Sequence, residues 1–420
     1  MEGALRRQAL ALAARALAGR LNADTSDHTG PHRPCPCGQR ARYAGRRPKR
    51  VQTVLGDLTL ERAYYHCAAC NQGFCPRDQA LGLDGTTLSP AVTRMIGAVG
   101  ALVSFQEGSE LLGELAGVAV PAKQVERTAE ALGTAIAADE RQVLEPGAPS
   151  APTLYLGLDG TGIPMRAAEL AGRLGKQADG SAKTREVKLC TVWSAEGRAP
   201  DGTPERDAGS VTYSAAIESA ATRDTDVAPA AFAARVVREA TRRGFAQAAR
   251  PVVLGDGAPW IWNLAEEHFP GALQIVDRYH AKERLHTAAH AIYGSTRRAA
   301  AWATQRCAEL DAGELPAVLR ALGRAAATCP PVRTDLDYFR RNRERMRYPA
   351  FHAAGLCTST GVVEAGCKVA IGTRLKRAGM HWTVRGANSI IALRCTRLSG
   401  RFEDFWARRA ETGLRGRAAA

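Results

Sequence analysis

The chain has 420 residues, 45% of them hydrophobic, enough for two to four domains with a sizeable core. Lysine and arginine outnumber aspartate and glutamate 57 to 42, a net charge of +15. That excess favours a polyanionic partner, because each neutralised phosphate releases condensed counterions. No stretch reaches the ~18 apolar residues of a membrane span, and the first residues carry no signal-peptide pattern. Eleven scattered cysteines, an odd number, speak against a disulfide framework and for a reducing cytoplasm.

Residues 1–30 are expected to form a basic N-terminal helix. Leu5 and Leu12, like Leu10 and Leu17, stand seven apart, with Arg6, Arg7, Arg15 and Arg20 between them, so a helical apolar face is available. Residues 31–80 change character. Two strand-like runs, Val51–Leu55 and Leu58–Tyr65, flank Gly56-Asp57, which has the composition of a two-residue hairpin turn. Cys35-Pro36-Cys37 precedes the hairpin and Cys67-Ala68-Ala69-Cys70 follows it. Two cysteine pairs about a hairpin suit tetrahedral, structural zinc, a zinc ribbon. The first pair is one residue tighter than usual, so Cys75, His32 and His66 remain alternative ligands.

Residues 81–145 read as helical. Glu110–Leu115, a break at Gly117 and Ala122–Leu132 have the spacing of a helix-turn-helix. Glu145–Pro152 is a linker by composition.

From residue 151 to 408 the pattern becomes α/β. Strands are expected at Leu154–Leu158, Val187–Trp193, Val211–Ile217, Val252–Leu254 and Leu273–Val276, with a helix over Ala230–Arg243. Three strands in succession, then a helix and more strands, predict a mixed sheet whose first three strands are antiparallel. This is the RNase H-like order. A helical insertion is expected over about 285–355.

The acidic residues carry the chemistry. Asp159 and Asp256 each close an apolar strand run, and Glu364 lies in a helical stretch whose apolar stripe is Val363, Cys367, Ala370 and Ile371. Two strand-end carboxylates and one helical carboxylate are suited to two Mg²⁺ (or Mn²⁺) ions, hard cations that take oxygen ligands and promote in-line attack at a phosphodiester. Gly160, Gly162, Gly255 and Gly257 are expected to let substrate approach. Asp277 and His280 follow the fifth strand as Asp-x-x-His, able to orient the site; as plain sequence, Asp277 also reads as a helix N-cap. Lys368, Arg374, Lys376 and Arg377 offer phosphate contacts, and Trp382 offers a stacking surface. The basic stretch Arg166–Lys188, with Arg185 and Lys188, reads as a hairpin extension beside the site.

These segments together resemble the ISKra-type insertion-sequence transposases. The resemblance rests on Asp159-Gly160-Thr161-Gly162-Ile163-Pro164-Met165, Thr184–Leu189, Gly255-Asp256-Gly257-Ala258, Val276-Asp277-Arg278-Tyr279-His280 and Gly379-Met380-His381-Trp382. Cys35–Gly38 and Tyr64–Cys67 extend it toward the N-terminus. It implies a DDE transposase with an RNase H-like catalytic domain and a triad of Asp159, Asp256 and Glu364. Asp277 and His280 would be the Asp-x-x-His signature of related enzymes. Cys190 stands where a small residue such as glycine is expected. The implied partners are terminal inverted repeats and target DNA. At least a homodimer is expected on them, in a bacterial cytoplasm at the nucleoid. Two rivals share the sequence: a catalytically silent DNA-binding relic, and an RNase H-like nuclease without strand transfer.

Overall fold

A computed structural model describes residues 1–142, 147, 149, 151–175, 177, 180–200, 202–220 and 230–418, with side chains up to residue 410. Glu145, Pro146, Ala148 and Ser150 of the expected linker, and Lys176, Ala178 and Asp179 of the basic stretch, lie outside the described residues. The chain forms two compact units, Met1–Ile136 with Arg401–Ala420, and Ala137–Gly400. No helix among the described residues is long and apolar enough to cross a membrane.

The first unit opens with α1 (Glu2–Ala23), followed by a four-stranded antiparallel sheet in the order β1 (His32–Pro34), β2 (Arg40–Thr53), β3 (Gly56–Cys67), β4 (Gln72–Phe74). The β2–β3 turn falls at Val54-Leu55, two residues before the expected Gly56-Asp57. Thr53 decides this: its hydroxyl accepts from Leu55 N at 3.2 Å and donates to Gly56 O at 2.6 Å, a hydroxyl-stabilised turn. Helices α2 (Pro76–Leu81), α3 (Pro90–Leu102), α4 (Phe105–Leu111) and α5 (Ala122–Asp139) follow. A π turn over Leu112–Ala116 and Gly117 at φ 71° separate α4 from α5. The N-terminal helix and the hairpin share a core: Leu17 and Leu21 pack on Val51, Leu58, Leu60 and Leu83. Leu5 and Leu12 do not join it and stay 60% and 67% exposed.

The second unit is built on a five-stranded mixed sheet. Its strands are β5 (Thr153–Pro164), β6 (Thr184–Trp193), β9 (Thr212–Ala216), β10 (Arg250–Gly255) and β11 (Leu273–Val276); a small ribbon, β7 (Gly197–Arg198) and β8 (Pro204–Glu205), interrupts them. The order is β11-β10-β5-β6-β9. β5, β6 and β9 run antiparallel, whereas β10 is parallel to both β5 and β11. β5 continues well past Leu158, pairing with β6 from Tyr155↔Trp193 to Pro164↔Thr184. Gly160 and Gly162 thus lie within the strand, beside the Glu186 and Thr184 side chains of β6.

Helices α6 (Ala231–Arg242) and α7 (Pro259–His268) precede and follow β10. After β11 comes a helical run of α8 (Arg278–Tyr293), α9 (Arg297–Asp311), α10 (Leu315–Ala326), α11 (Val332–Arg341) and α12 (Tyr348–Ala353). The chain then returns to the sheet through α13 (Gly361–Gly366), a π segment (Cys367–Gly372), α14 (Thr373–Leu375) and α15 (Val384–Leu398). The closing helix α16 (Phe402–Ala418) belongs to the first unit.

Successive strand residues face opposite sides, and this sorts the sheet. Tyr155, Gly157 and Asp159 share one face, where Tyr155 stacks on Trp193 at 5.3 Å between ring centroids. Gly255 points to the other face, toward Ile261 of α7.

Candidate active site and cysteine cluster

Strand register assembles an acidic row. Gly255 pairs with Leu158 on one side and Val276 on the other, so the register brings the next residues, Asp159, Asp256 and Asp277, into one row at the level where β10 and β11 end. Each follows an apolar run that anchors its strand in the core; Asp159 lies within β5, while Asp256 and Asp277 stand one residue past β10 and β11.

The three carboxylates have different surroundings. Asp159 Oδ1 accepts from Gly160 N at 2.6 Å, and Oδ2 accepts from the Cys367 thiol at 3.3 Å. Burial pushes the Asp159 carboxyl up, and the charge of Asp256 adds to that, against the pull of the Gly160 and Cys367 donors. Asp256 Oδ1 accepts from Ala258 N at 2.8 Å, and the Asp256 carbonyl accepts from the Tyr338 hydroxyl at 2.8 Å. Gly257, at φ 96°, leaves the space filled by the Tyr338 ring, so the helical run is latched to the turn that carries Asp256. The glycines here thus make room for the protein's own side chains.

Asp277 is fully buried. It caps α8 through His280 N at 2.6 Å, meets His280 Nδ1 at 3.1 Å, and accepts from the Thr360 hydroxyl at 2.8 Å and from Thr360 N. Burial opposes its charge, but the His280 and Thr360 donors outweigh that and hold the carboxyl below its ordinary value. The same bond to Asp277 pushes His280 up to about 9. One buried carboxylate therefore ties the start of α8 to the start of α13, and the N-cap reading of Asp277 is the one the geometry bears out.

Glu364 is carried by α13, which lies directly on the sheet. Val363 fills the place a Cβ would take at Gly157, and Leu189, Thr191 and Tyr213 crowd Gly366. Both glycines are needed for this close approach. The Glu364 side chain leans toward His280, with Oε1 3.9 Å from Nδ1 and 3.3 Å from the Thr360 hydroxyl. Among the described residues, ligand atoms of Asp277, His280 and Glu364 all lie within 4.8 Å of one another; Asp159 and Asp256 are not in that group. The backbone then widens into the π segment, a geometry frequent at functional sites. Arg394 pins it by donating to the carbonyls of Ala370 and Val369.

The cations expected to meet DNA divide into two sets. Lys368 and Lys376 are exposed and Arg377 is half-buried; Lys376 donates to Thr161 on β5. Arg185 lies 3.9 Å from Glu169, and Lys188 pairs with Glu186 at 3.0 Å. Arg374 and Trp382 correct the sequence reading. Arg374 is fully buried, its guanidinium 5.2 Å from the Trp382 ring centroid. Trp382 is 6% exposed and donates to the Leu375 carbonyl at 3.0 Å. Both side chains are interior, because the segment carrying Trp382 pairs with the end of β5 through Met165.

Sequence patterning passed over Cys367, Thr360, Tyr338 and Gly157. Cys367 was legible only as an apolar stripe member, and Thr360 only as a cap-like residue. Nothing local to Tyr338 or Gly157 signals contacts that arise across 82 residues or between layers.

In the first unit, Cys35, Cys37, Cys67 and Cys70 converge, with their sulphur atoms within 4.8 Å of one another. Cys35 and Cys70 Sγ are 3.6 Å apart, and Cys37 and Cys67 Sγ 3.7 Å apart. All are free thiols. Backbone N–H groups of Cys70 and Ala69 help draw the Cys67 thiol down to about 7, favouring the thiolate that metals bind, whereas burial and the neighbouring thiols push Cys70 up to about 12. The group can hold zinc.

The family described as Uncharacterised protein family (UPF0236) matches residues 38–406. No curated protein matches the chain.

Proposed function

Since the chain belongs to UPF0236, we propose that this member is a DNA transposase of the ISKra type, an enzyme that cuts and joins DNA at an acidic site on an RNase H-like sheet. The observation that carries the reading is the juxtaposition of Asp159 and Asp256 in one row, with α13 laying Glu364 over the same face. The strand order, with three antiparallel strands continued by two parallel ones, supports the RNase H-like assignment. The basic chain and its cysteine cluster fit a polyanion substrate.

The donor set fits Mg²⁺. It is made of carboxylate oxygens, and burial beside the charge of Asp256 makes the ionised form of Asp159 costly, a cost that a cation relieves. Asp159, Asp256 and Glu364 would hold the metal. When bound, it stabilises charge on the entering and leaving oxygens of a phosphodiester. The chain's own groups do the rest. Asp277 fixes the ends of α8 and α13. Tyr338 fixes the Asp256 turn. The exposed Lys368 and Lys376 place positive charge beside the site, where they would position phosphates without reading sequence. Water, and then a freed 3′-hydroxyl, would serve as nucleophiles, so no covalent protein intermediate is required. Two element ends call for at least two copies of the chain.

The test is cleavage of a labelled duplex carrying the element's end, in Mg²⁺ or Mn²⁺, by wild type and Glu364→Gln. Cutting that vanishes in the variant supports the enzyme. Tight, specific binding by wild type with no cutting replaces it with a DNA-binding relic. Cleavage without joined products in a strand-transfer assay replaces it with a nuclease.

A further inference from the structure

The cysteine-bearing sheet of the first unit has a cationic face of its own. β2 carries Arg40, Arg42, Arg46, Arg47, Lys49 and Arg50 and no acidic residue. Buried carboxylates take up part of this charge. Asp27 binds Arg46 at 3.0 Å, Asp78 binds Lys49 at 3.0 Å, and Asp57 pairs with Arg50 at 2.6 Å on the surface. Arg40, Arg42 and Arg47 are exposed, and among the described residues none of these three forms an ion pair.

Register places them on one face. His32 pairs with Arg42 and Arg42 with His66, giving a cationic and imidazole row across three strands, while Arg40 lies two residues along β2. Residues two apart on a strand share a face at about 6.8 Å spacing. Tyr64 shares this face too. Its ring lies over Gly73, leaving no room for a Cβ there, and the Arg47 guanidinium stacks 3.7 Å above the ring centroid. The acids of β3, Asp57 and Glu61, alternate onto the opposite side, where Ala63, Tyr65 and Cys67 form the core.

We propose that this face, with Arg40, Arg42 and Arg47 as phosphate contacts and Tyr64 as their platform, is a duplex-DNA docking surface of the first unit, separate from the acidic site. The cations are mounted on a paired sheet and one is fixed by stacking, so little freedom is lost when they meet a rigid polyanion. A lipid surface is the poorer fit, because the exposed large apolar side chains of this unit, Met1, Leu5, Leu12, Leu102 and Leu115, all lie off these strands. The proposal rests on the transposase reading only for its choice of probe.

The test uses the full chain without divalent metal, binding a fluorescent random-sequence duplex by anisotropy across a salt series. Each phosphate contact contributes about 0.9 to the slope of log affinity against log salt. Arg40→Gln/Arg42→Gln/Arg47→Gln should lose about 2 to 3 of that slope and bind at least about tenfold more weakly near physiological salt. Arg50→Gln, whose partner is Asp57, should bind like wild type. Zinc content and melting temperature verify folding; should the triple variant fail there, Arg42→Gln alone should lose about 1 of slope. A folded triple variant with the wild-type slope overturns the assignment. So does wild-type protein that takes phosphatidylserine vesicles or duplex RNA in preference to duplex DNA. Because no cleavage is read, loss of binding in the triple variant stands even if the acidic site proves inert. Unchanged binding sinks this surface even if the enzyme is active.

Discussion

The Cys367 thiol donates to the Asp159 carboxylate at 3.3 Å across 208 residues of chain. Burial pushes this thiol above its ordinary range, so it remains a donor at neutral pH. It sits one turn beyond Glu364, where the helix gives way to the π segment, and that change of pitch helps set its direction.

Removing this donor should weaken metal binding, because it helps keep Asp159 ionised. A hydrogen bond to the carboxylate is worth about 1 kcal/mol, about fivefold in affinity. Cys367→Ala should raise the Mn²⁺ dissociation constant by that factor near pH 7, and Cys367→Ser should restore it. Electron paramagnetic resonance of free Mn²⁺ reads this without any turnover. Tighter binding in Cys367→Ala would mean that the thiol competes with the metal for Oδ2, the opposite role.

The His280–Asp277 pair predicts a pH dependence of stability. His280 rises from 6.5 to about 9 in the folded chain. A raised folded value means that its contribution is fully present below about 6.5 and is lost as pH climbs through about 9. Asp277 is depressed below 3.8, so its contribution is present above that value and is lost in acid. The melting-temperature advantage of wild type over His280→Gln should therefore hold near pH 6 and shrink steadily toward pH 9.5. An advantage that stays constant over this range would show that the pair is not ionic.

How far the sequence carried this depends on whether a signal was local. Asp159 and Asp256 were legible because each ends an apolar run, and the helix of Glu364 because its stripe repeats at helical spacing. The row with Asp277 needs strand register, which no single segment encodes. Gly160 and Gly162, read as openings for substrate, lie within β5 beside the Glu186 and Thr184 side chains of the partner strand. Arg374 and Trp382 look like a basic and aromatic surface in sequence. They are interior because the returning chain pairs with the end of β5, a contact between distant segments.

The cysteine cluster makes a claim about composition. The purified chain should carry one zinc ion, lost in Cys67→Ser and Cys70→Ser, with a lower melting temperature, since metal binding in such sites is folding energy. Cys75→Ala and His32→Ala should keep their zinc, because neither residue joins the convergent group. Elemental analysis alongside thermal melts decides it. Zinc retained in Cys67→Ser but lost in Cys75→Ala would reassign the ligands.

Gly157 is the seat of the helix that carries Glu364. A Cβ there would stand 2.0 Å from Val363 Cγ2 and 2.7 Å from Trp193 Cζ3, too close for either to remain in place. Gly157→Ala should therefore lift α13 from the sheet, costing about 1–3 kcal/mol as overpacking and displacing Glu364 from the Asp159 row. The contact is pairwise, so Val363→Ala should recover part of the loss when combined with it, and the shortfall from additivity measures the clash. Chemical denaturation gives the stability term and Mn²⁺ binding gives the displacement. If Gly157→Ala melts and binds metal like wild type, α13 does not rest on β5, and the placement of Glu364 over the acidic row falls with it.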